Sequence, residues 1–345
     1  MLFYRRDGCK RQLRNCLQHI RRYTKLFTYD RATIDSAGTF LIGELERLDP
    51  TMHEPLYAVT WSRDIDLRED VSIADETSSF TNTTFAAAGG VAPNGKNWIG
   101  KDSNAITGIA LDIGKTASPL YLWGMELGYT IPELLSAQQI GRPIDTQKLE
   151  GIKIKHNMDI DEMVYVGDST LGKYGLINST SVTTTGNVAA GAATTRTWVT
   201  KTPMEIVYDI NTLIETVWAA SGYAICPTEL RLPPTQFAYI AAQDAGIAGA
   251  KSILTFIEEN CIALKINGTK INIQPVKWLE AANSGLGTQR MVAYTKEKNR
   301  IRFPLVPLQR TPLEYRSIWQ LTTYFGRLGV VEIPYPETIG YADGI

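Results

Sequence analysis

The stretch Thr130–Asn178 constrains the fold of this chain more than any other part of its sequence. Thr130 and Glu133 have the T-x-x-E spacing of a capping box, and Pro132 stands at an early helical position that tolerates its missing N–H. Gly141 is the usual kind of residue just past a helix end. The start of the stretch therefore predicts a short helix that ends at Gly141.

A second, longer helix is expected from Pro143 to about Val166, with Asp145 as its candidate N-cap. At about 1.5 Å per residue it would be roughly 30 Å long. Side chains at spacings of three and four form one mostly apolar face: Leu149, Ile152, His156, Ile160 and Met163. Much of the opposite, wetter side is charged: Lys153, Lys155, Asp159 and Glu162. Three glycines should then break the helix into a loop: Gly167, Gly172 and Gly175.

Three motifs follow one another in a characteristic order. They are G-R-P-I-D at Gly141–Asp145, V-G-D-S-x-x-G-x-x-G-L-I-N at Val166–Asn178, and GRLGVVEIPYPETIGYADGI at Gly326–Ile345. Together they resemble the major capsid proteins of tailed double-stranded DNA bacteriophages, and the resemblance extends from about Leu56 onward. Encapsulin shells share that fold. The resemblance implies an α+β, tailed-phage major capsid (HK97-like) fold with an N-terminal arm, an extended loop, a spine helix, a peripheral domain and an axial domain.

The resemblance also implies how the chain divides, with the two domains interleaved. The expected segments are the arm (1–54), peripheral-domain strands with the extended loop at about 76–104 (55–115), the rest of the peripheral domain with the spine helix at about 143–166 (116–200), the axial domain (201–310), and a C-terminal return to the peripheral domain (311–345).

Basic residues are concentrated in the arm. Nine Lys and Arg stand against two Asp over Met1–Arg31, and subtracting these from the totals of 35 basic and 36 acidic residues leaves 26 and 34 beyond it. Leu13, Leu17 and Ile20 recur at helical spacing, so an amphipathic helix is expected whose stripe needs another surface to cover it. The arm fits contact with a neighbouring copy, a solvated or locally packed charged helix, or contact with DNA.

A period of two over Leu56–Leu67 predicts a strand, and a second extended stretch covers Ile106–Ile113. Between them lies SSFTNTTFAAAGGVAPNGKNWIGKDSN. This segment is rich in Gly, Ala, Ser, Thr and Asn and has too few large apolar residues to form a hydrophobic core of its own. In the capsid family two long strands carry such a loop over the adjacent subunit. The alternative is a disordered insertion.

The chain after the spine is expected to alternate between helices and strands. The low-complexity stretch Ser179–Thr200 is expected at the surface, as a loop or a ragged strand pair. Thr202 and Glu205 form a second capping box, which starts a helix ending near Gly222. The further elements expected are a strand at TELRLPP, helices from about Thr235 and over Ser252–Cys261, and strands within Ile271–Leu279, Arg290–Thr295, Ile301–Leu308 and Tyr315–Ile333. By the resemblance, the last lies against the spine helix.

No catalytic, cofactor-binding or metal-binding residue is predicted, and the chain is not expected to be an enzyme. None of the cysteines has C-x-x-C spacing, which argues against zinc and fits free thiols in a reducing cytoplasm: Cys9, Cys16, Cys226 and Cys261. Of His19, His53 and His156, the last is interpreted as a satisfied core histidine. Nucleotide-binding and hydrolase fingerprints are absent. Three short runs suggest chemistry only superficially: Asp159–Glu162, Gly167–Ser169 and Gly285–Thr288.

One covalent possibility concerns the extended loop, which holds Lys96, Asn97 and Lys101. Some members of the capsid family join subunits through lysine–asparagine isopeptide bonds. No acidic catalyst or partner asparagine can be identified, so surface lysines are the plainer interpretation.

The resemblance implies a structural subunit that self-assembles into hexamers and pentamers of an icosahedral head around double-stranded DNA, without sequence specificity. Scaffolding, portal and decoration proteins are possible further partners. The expected location is the virion, with assembly in the host cytoplasm. No membrane contact is expected, because no apolar run reaches about 18 residues. The alternatives are an encapsulin-type nanocompartment around a cargo enzyme and a nucleic-acid-binding protein led by its basic arm.

Overall fold

The computed structural model describes residues 57–87, 97, 101, 108–140, 144–246 and 251–345. The basic arm, its expected helix, and most of the extended loop's tip lie outside the described residues. The helices are α1 (Trp61–Asp64), α2 (Ile131–Ile140), α3 (Ile144–Tyr165), α4 (Pro203–Ala220), α5 (Pro234–Ala242), α6 (Ile253–Asn260), α7 (Ile262–Asn267) and α8 (Ala281–Ser284).

The described strands form three sheets. Their bounds are β1 (Asp66–Arg68), β2 (Thr77–Ala87), β3 (Ile109–Pro119), β4 (Tyr121–Thr130), β5 (Thr184–Asn187), β6 (Glu229–Leu232), β7 (Asn272–Pro275), β8 (Arg290–Tyr294), β9 (Arg302–Arg310), β10 (Glu314–Arg316), β11 (Trp319–Leu328) and β12 (Ile339–Asp343). β2 and β3 pair only with each other.

The first five-stranded sheet is organised around β11. This strand pairs antiparallel with β4 along its whole length, from Trp319 opposite Thr130 to Leu328 opposite Tyr121. On its other edge it pairs antiparallel with β10 and β9, and β1 adds a parallel strand beyond β9. Leu127 and Tyr129 of β4 form a small core with Ile152 of α3. The sheet therefore packs against the spine helix α3, with Tyr324 of β11 against the same cluster.

The second five-stranded sheet has the order β5-β12-β8-β6-β7 and is covered on both faces. All of β8 is buried. Met291 and Ala293 pack in the core that holds the buried face of α4, while Val292 and Tyr294 pack in the core that holds the end of α3. Because successive side chains of a strand point to opposite faces, β8 joins the two cores.

The end of the spine helix is capped by the loop that follows it. Gly167 adopts φ 78°, a left-handed conformation that favours glycine. The chain then turns back, and the backbone N–H groups of Leu176 and Ile177 donate to the carbonyls of Val164 and Tyr165 at 2.8 and 3.1 Å. The loop thereby satisfies helix-terminal carbonyls that would otherwise lack partners.

Several expectations are confirmed. The capping box joins Thr130 and Glu133, with the Glu133 N–H 3.3 Å from the threonine hydroxyl, and α2 ends at Ile140. The long helix ends at Tyr165, and its predicted face is buried at Ile152, His156, Ile160 and Met163. The second capping box starts α4. The expected later strands appear as β6, β7, β8, β9 and β11.

Other expectations are wrong. The alternation over Leu56–Leu67 gives only the short strand β1, and residues 61–64 form α1. The backbone at the start of the described chain is bound to buried carboxylates and does not pair with a strand. The long helix begins at Ile144, so Asp145 lies inside its first turn instead of capping it. Ser179–Thr200 is not a surface loop alone: β5 pairs with β12, and Val188 and Trp198 are buried.

The domain boundaries stay a prediction. The strand β12, which they group with the peripheral domain, lies in the same sheet as β6, β7 and β8 of the predicted axial domain. Within the described residues, no helix is both long and apolar enough to cross a membrane.

Candidate subunit interface

The hairpin β2–β3 exposes one long strand, β3, along most of its length. Each strand has eleven residues, and every residue from Ile109 to Ala117 is exposed. Three large apolar side chains at alternate positions share one face, with Ile109 70%, Leu111 53% and Ile113 60% exposed. A two-stranded hairpin is marginally stable in water by itself. Its apolar row is therefore a surface that another molecule can cover.

The root of this hairpin is fixed by a buried carboxylate. The side chain of Glu332 is fully buried and accepts hydrogen bonds from Arg302 Nε at 2.7 Å, from Arg68 Nη1 at 3.2 Å, and from the Ser78 hydroxyl of β2. Arg327 donates to two carbonyls that flank the hairpin, those of Ile73 and Leu120. The hairpin is thus anchored at its base and has no described strand partner along its length.

A second apolar surface lies at the turn between β10 and β11. Ser317 adopts φ 58° in this turn, and the carbonyl of the next residue, Ile318, accepts the Ile131 N–H of α2 at 3.0 Å. Six large apolar side chains of α2 and of the segment from just before β10 to the start of β11 are exposed: Ile131, Leu135, Leu313, Tyr315, Ile318 and Trp319. Exposed apolar patches of this kind mark interaction sites in soluble proteins.

A buried ionic cluster centred on Asp64 ties the elements together. Its carboxylate accepts from Arg63 Nε at 2.6 Å and from the Tyr165 hydroxyl of α3. Arg231 Nε of β6 lies 3.0 Å away as an ion pair, although its N–H is not aligned for a hydrogen bond. The Tyr294 hydroxyl of β8 donates to the Asp64 carbonyl at 2.7 Å. Burial, and then the nearby Asp64 charge, raise the pKa of Tyr165, so this hydroxyl stays protonated as a donor.

Asp161, on the spine helix, fixes the first described residues. Its carboxylate accepts the backbone N–H groups of Thr60 and Trp61 at 3.0 and 3.1 Å and Trp278 Nε1 at 2.7 Å. The Lys277 ammonium lies 3.1 Å away. Removing one partner from such a buried cluster leaves the others uncompensated, so the loss of any one of these contacts is expected to destabilise the fold.

His156 is buried, as expected for a core residue, but it is not fully satisfied. Its ring meets the ring of Trp123 edge-on, with 4.7 Å between centroids, and its Nε2 has no hydrogen-bond partner among the described residues. Burial lowers the pKa of His156, partly opposed by the charge of Asp159. The imidazole is therefore a neutral packing group.

The other residues singled out in the sequence serve structure or face solvent. Asp159 accepts Trp123 Nε1 at 2.8 Å, and Asp168 closes a turn by accepting the Thr170 N–H at 2.8 Å. Asn97 and Lys101 are exposed, while Lys96 lies outside the described residues. The described chain holds no cluster of three or more potential metal ligands. Cys226 and Cys261 are free and buried, and burial raises the pKa of Cys226 to about 11.

The sequence interpretation missed the carboxylates that fix the hairpin root and the short helix α1. One signal was present, since Glu332 is a lone charge within the apolar run Val330–Ile333. A charge buried in such a run requires partners. Those partners, Arg68 and Arg302, lie far away in the sequence, which is why spacing alone could not identify them.

Comparison with known proteins identifies the family. The family model described as "Major capsid protein" matches residues 95–345. The capsid of Myoviridae phage XM1 is similar in structure, with a TM-score of 0.70, 16% identity, and coverage of 88% of this chain and 98% of that chain. A comparison with curated protein sequences finds no match.

Two further solved structures show the same fold at lower identity. A native GTA particle capsid has a TM-score of 0.56 with 11% identity, covering 87% of this chain and 96% of that chain. Mycobacterium phage Adephagia gives a TM-score of 0.54 with 9% identity, covering 91% and 97%. The predicted α+β tailed-phage capsid fold is thus confirmed. Because the family model covers well over half of its residues, this chain belongs to the major capsid protein family and is a capsid shell subunit.

Proposed function

We propose that copies of this chain assemble into hexamers and pentamers, which close into an icosahedral phage head around double-stranded DNA. The observation that carries this proposal is the hairpin β2–β3, whose apolar row of Ile109, Leu111 and Ile113 is exposed and is not covered by any other described residue. In an assembly, the hairpin of one copy is covered by the surface of the next.

Burial of this row supplies a modest free energy per contact. At about 1.5–3 kcal/mol for each fully buried large aliphatic side chain, and with more than half of each already exposed, the row contributes about 3–5 kcal/mol. The exposed turn between β10 and β11 offers a separate contact. Many such contacts around a closed shell add up through multivalency, so a particle can be far more stable than any one interface.

The proposed subunit has two domains, with the boundaries that the resemblance to capsid proteins implies. Residues 201–310 would form the axial domain at the centre of each hexamer or pentamer, and 55–200 with 311–345 the peripheral domain. The antiparallel pairing of β12 with β8 supports a rigid junction between them. The subunit acts without catalysis and assembles in the host cytoplasm.

Electron microscopy of the purified full-length protein tests the proposal. We expect uniform polyhedral shells, and particles purified from the phage should contain DNA. A homogeneous monomer by light scattering, at concentrations at which capsid proteins assemble, would contradict the proposal. Shells that enclose a cargo enzyme and no DNA would contradict the proposal that the shell surrounds double-stranded DNA.

A triple variant, Ile109→Thr, Leu111→Thr and Ile113→Thr, tests the role of the apolar row. Threonine keeps the strand preference while removing most apolar surface. We expect unassembled subunits with unchanged circular dichroism and unchanged unfolding. The matched control changes the opposite face of the same strand, with Ala110→Thr and Asp112→Thr, and should still form shells. Equal assembly of both variants would remove the hairpin from the proposed interface.

A further inference from the structure

A lysine and an aspartate are in direct contact in the interior, at the start of α4. Lys201 comes just before the N-cap Thr202, and Asp209 lies on the second turn of the helix. The Lys201 Nζ is 2.5 Å from Asp209 Oδ2, and the two side chains are only 1% and 3% exposed. Every other lysine that forms a described salt bridge keeps at least 27% of its side chain exposed. This pair is therefore the one from which water is nearly excluded.

The surroundings of the pair disfavour its two charges. Trp198, Ile206 and Ile210, which are its neighbours along the chain, belong to the core that holds the buried face of α4. Burying an ion pair in such a core carries a desolvation cost that the attraction between the charges only partly offsets. Burial raises the pKa of the Asp209 carboxyl, and the hydrogen bond from Lys201 opposes this. The neutral form of the pair, an amine beside a carboxylic acid, is thus more accessible here than in water.

Hydrogen bonds hold the amine and the carboxyl in a fixed orientation. The Lys201 Nζ also donates to the Ala189 carbonyl at 2.7 Å, and Trp198 Nε1 donates to Asp209 Oδ2 at 3.1 Å. The Cγ of Asp209 is one bond of about 1.2 Å beyond Oδ2, so it lies within about 3.7 Å of the lysine nitrogen, close to the roughly 3–3.5 Å of reacting atoms poised for attack. The Trp198 N–H is placed to stabilise negative charge that develops on the carboxyl oxygen.

A groove of about 380 Å³ lies next to the pair, between α4 and β5. Asp209 and Ala189 are among its lining residues. A small molecule released at the Asp209 carboxyl therefore has a path to solvent, although the pair itself is buried.

We propose that Lys201 and Asp209 condense into an isopeptide bond within the chain. The ammonium first passes one proton to the carboxylate, which gives an amine and a carboxylic acid. The amine nitrogen then attacks Cγ, the new N–C bond forms, and the C–OH bond of Asp209 breaks. The hydroxyl leaves with one amine proton as water, so no oxidant or cofactor is consumed.

The product is a neutral amide in place of two buried charges, and it closes a ring from just before α4 to the second turn of the helix. It joins lysine to aspartate inside one subunit. It is thus distinct from the lysine–asparagine bond between subunits that was considered for the extended loop. Its formation requires a folded chain and does not depend on assembly, so the inference is independent of the proposed function.

Mass spectrometry of the unmodified full-length protein, folded and then denatured, tests the inference. Denaturation removes every non-covalent contact, so only a covalent bond can change the mass. We expect an intact mass lower than that of the sequence by one water. Trypsin should fail to cut after Lys201, and the peptide Thr197–Arg231 should appear one water lighter than its linear form, with fragment ions that join positions 201 and 209.

The same digest contains a matched control. The Lys155 Nζ is also 2.5 Å from an oxygen of Asp159, but these side chains are 52% and 25% exposed. Because water surrounds this pair, it should remain an ordinary ion pair, and trypsin should cut after Lys155 completely. Linkage at both pairs would contradict the requirement for burial.

Two variants identify the bond. Asp209→Asn should release ammonia instead of water and give a cross-linked chain with the same mass as the cross-linked unmodified protein. Lys201→Arg keeps a cation beside the carboxylate but has no amine to form the bond, so its mass should equal that of its sequence. The measurement on the unmodified chain stands even where a variant fails to fold.

A folded, unmodified protein with the full mass of its sequence and complete cleavage after Lys201 would overturn the inference and leave the proposed function intact. A loss of water that persists in Lys201→Arg would indicate a succinimide at an aspartate and would also overturn it. Failure to form shells would contradict the proposed function alone, because the bond is measured on denatured single chains.

Discussion

The buried imidazole of His156 makes the subunit's stability sensitive to acid. Burial lowers its pKa below the ordinary value of 6.5. The unfolded chain therefore binds the proton more tightly than the folded chain. The contribution of this histidine to stability is fully present above about pH 6.5 and is lost as the pH falls through the folded-state pKa.

The variant His156→Phe should reduce this acid sensitivity. Phenylalanine keeps a ring against Trp123 and removes the Nε2 that has no described partner, so the free energy of unfolding at pH 7 should change by less than about 1.5 kcal/mol. Between pH 7 and pH 5 the variant should lose less stability than the unmodified chain. Denaturant titration of the unassembled chain at both pH values measures the difference, and equal losses would show that His156 does not titrate with unfolding.

At the scale of elements, the loop after the spine helix can pack against the helix end because two of its positions have no room for a side chain and are occupied by glycine. A Cβ on Gly175 would stand 2.3 Å from the Tyr165 carbonyl oxygen, and one on Gly167 would stand 2.4 Å from the Lys173 carbonyl oxygen. Both contacts involve backbone atoms, which cannot rotate away as the end of a flexible side chain can. Asn178 completes the cap by donating to the Val166 carbonyl at 2.8 Å.

A pair of alanine substitutions tests this close approach. Gly175→Ala should destabilise the chain by about 3 kcal/mol or more, because the loop that turns back must move away from the helix end. Gly172 has a φ of 62° but nothing within 4 Å of its added Cβ, so Gly172→Ala should cost only about 1–2 kcal/mol. Thermal or denaturant unfolding of both variants gives the comparison, and similar losses would contradict the role of the close packing.

Patterns local to one element were predictable from the sequence, and contacts between distant elements were not. The capping boxes, the buried face of α3 and the ends of α2 and α3 follow from residues within a few positions of one another. The strand expected over Leu56–Leu67 is reduced to β1 in the described residues, because Asp161, a hundred residues away, binds the amides of Thr60 and Trp61. Trp198 stands in a polar run that reads as surface, yet it is buried with its Nε1 3.1 Å from Asp209. The role of Glu332 required knowledge of the fold.

At the scale of the whole molecule, protection from solvent should be uneven and should change on assembly. β8 and α4 are packed in the two cores, whereas among the described strands β2 and β3 pair only with each other. Amides with few buried contacts around them open most easily. The isolated subunit should therefore have a stable body and a weakly protected hairpin.

Hydrogen exchange followed by mass spectrometry can test this expectation. Peptides from Ile109–Pro119 should exchange at least about tenfold more slowly in shells than in unassembled chains, because in the proposed assembly a neighbouring copy covers the hairpin. Peptides from β8 should exchange slowly in both states and serve as the internal control. Unchanged exchange in the hairpin after shell formation would contradict its place between copies.

The anchoring of the hairpin at Glu332 and Arg327 has a geometric consequence for closed particles. Eleven residues of strand extend about 36 Å. Turning such a lever by about 5° around its base moves the far end by about 3 Å, roughly the spacing of one residue along a strand. Small adjustments at one pivot would then let identical subunits meet neighbours at the different dihedral angles of five-fold and six-fold rings, without any rearrangement of the two cores.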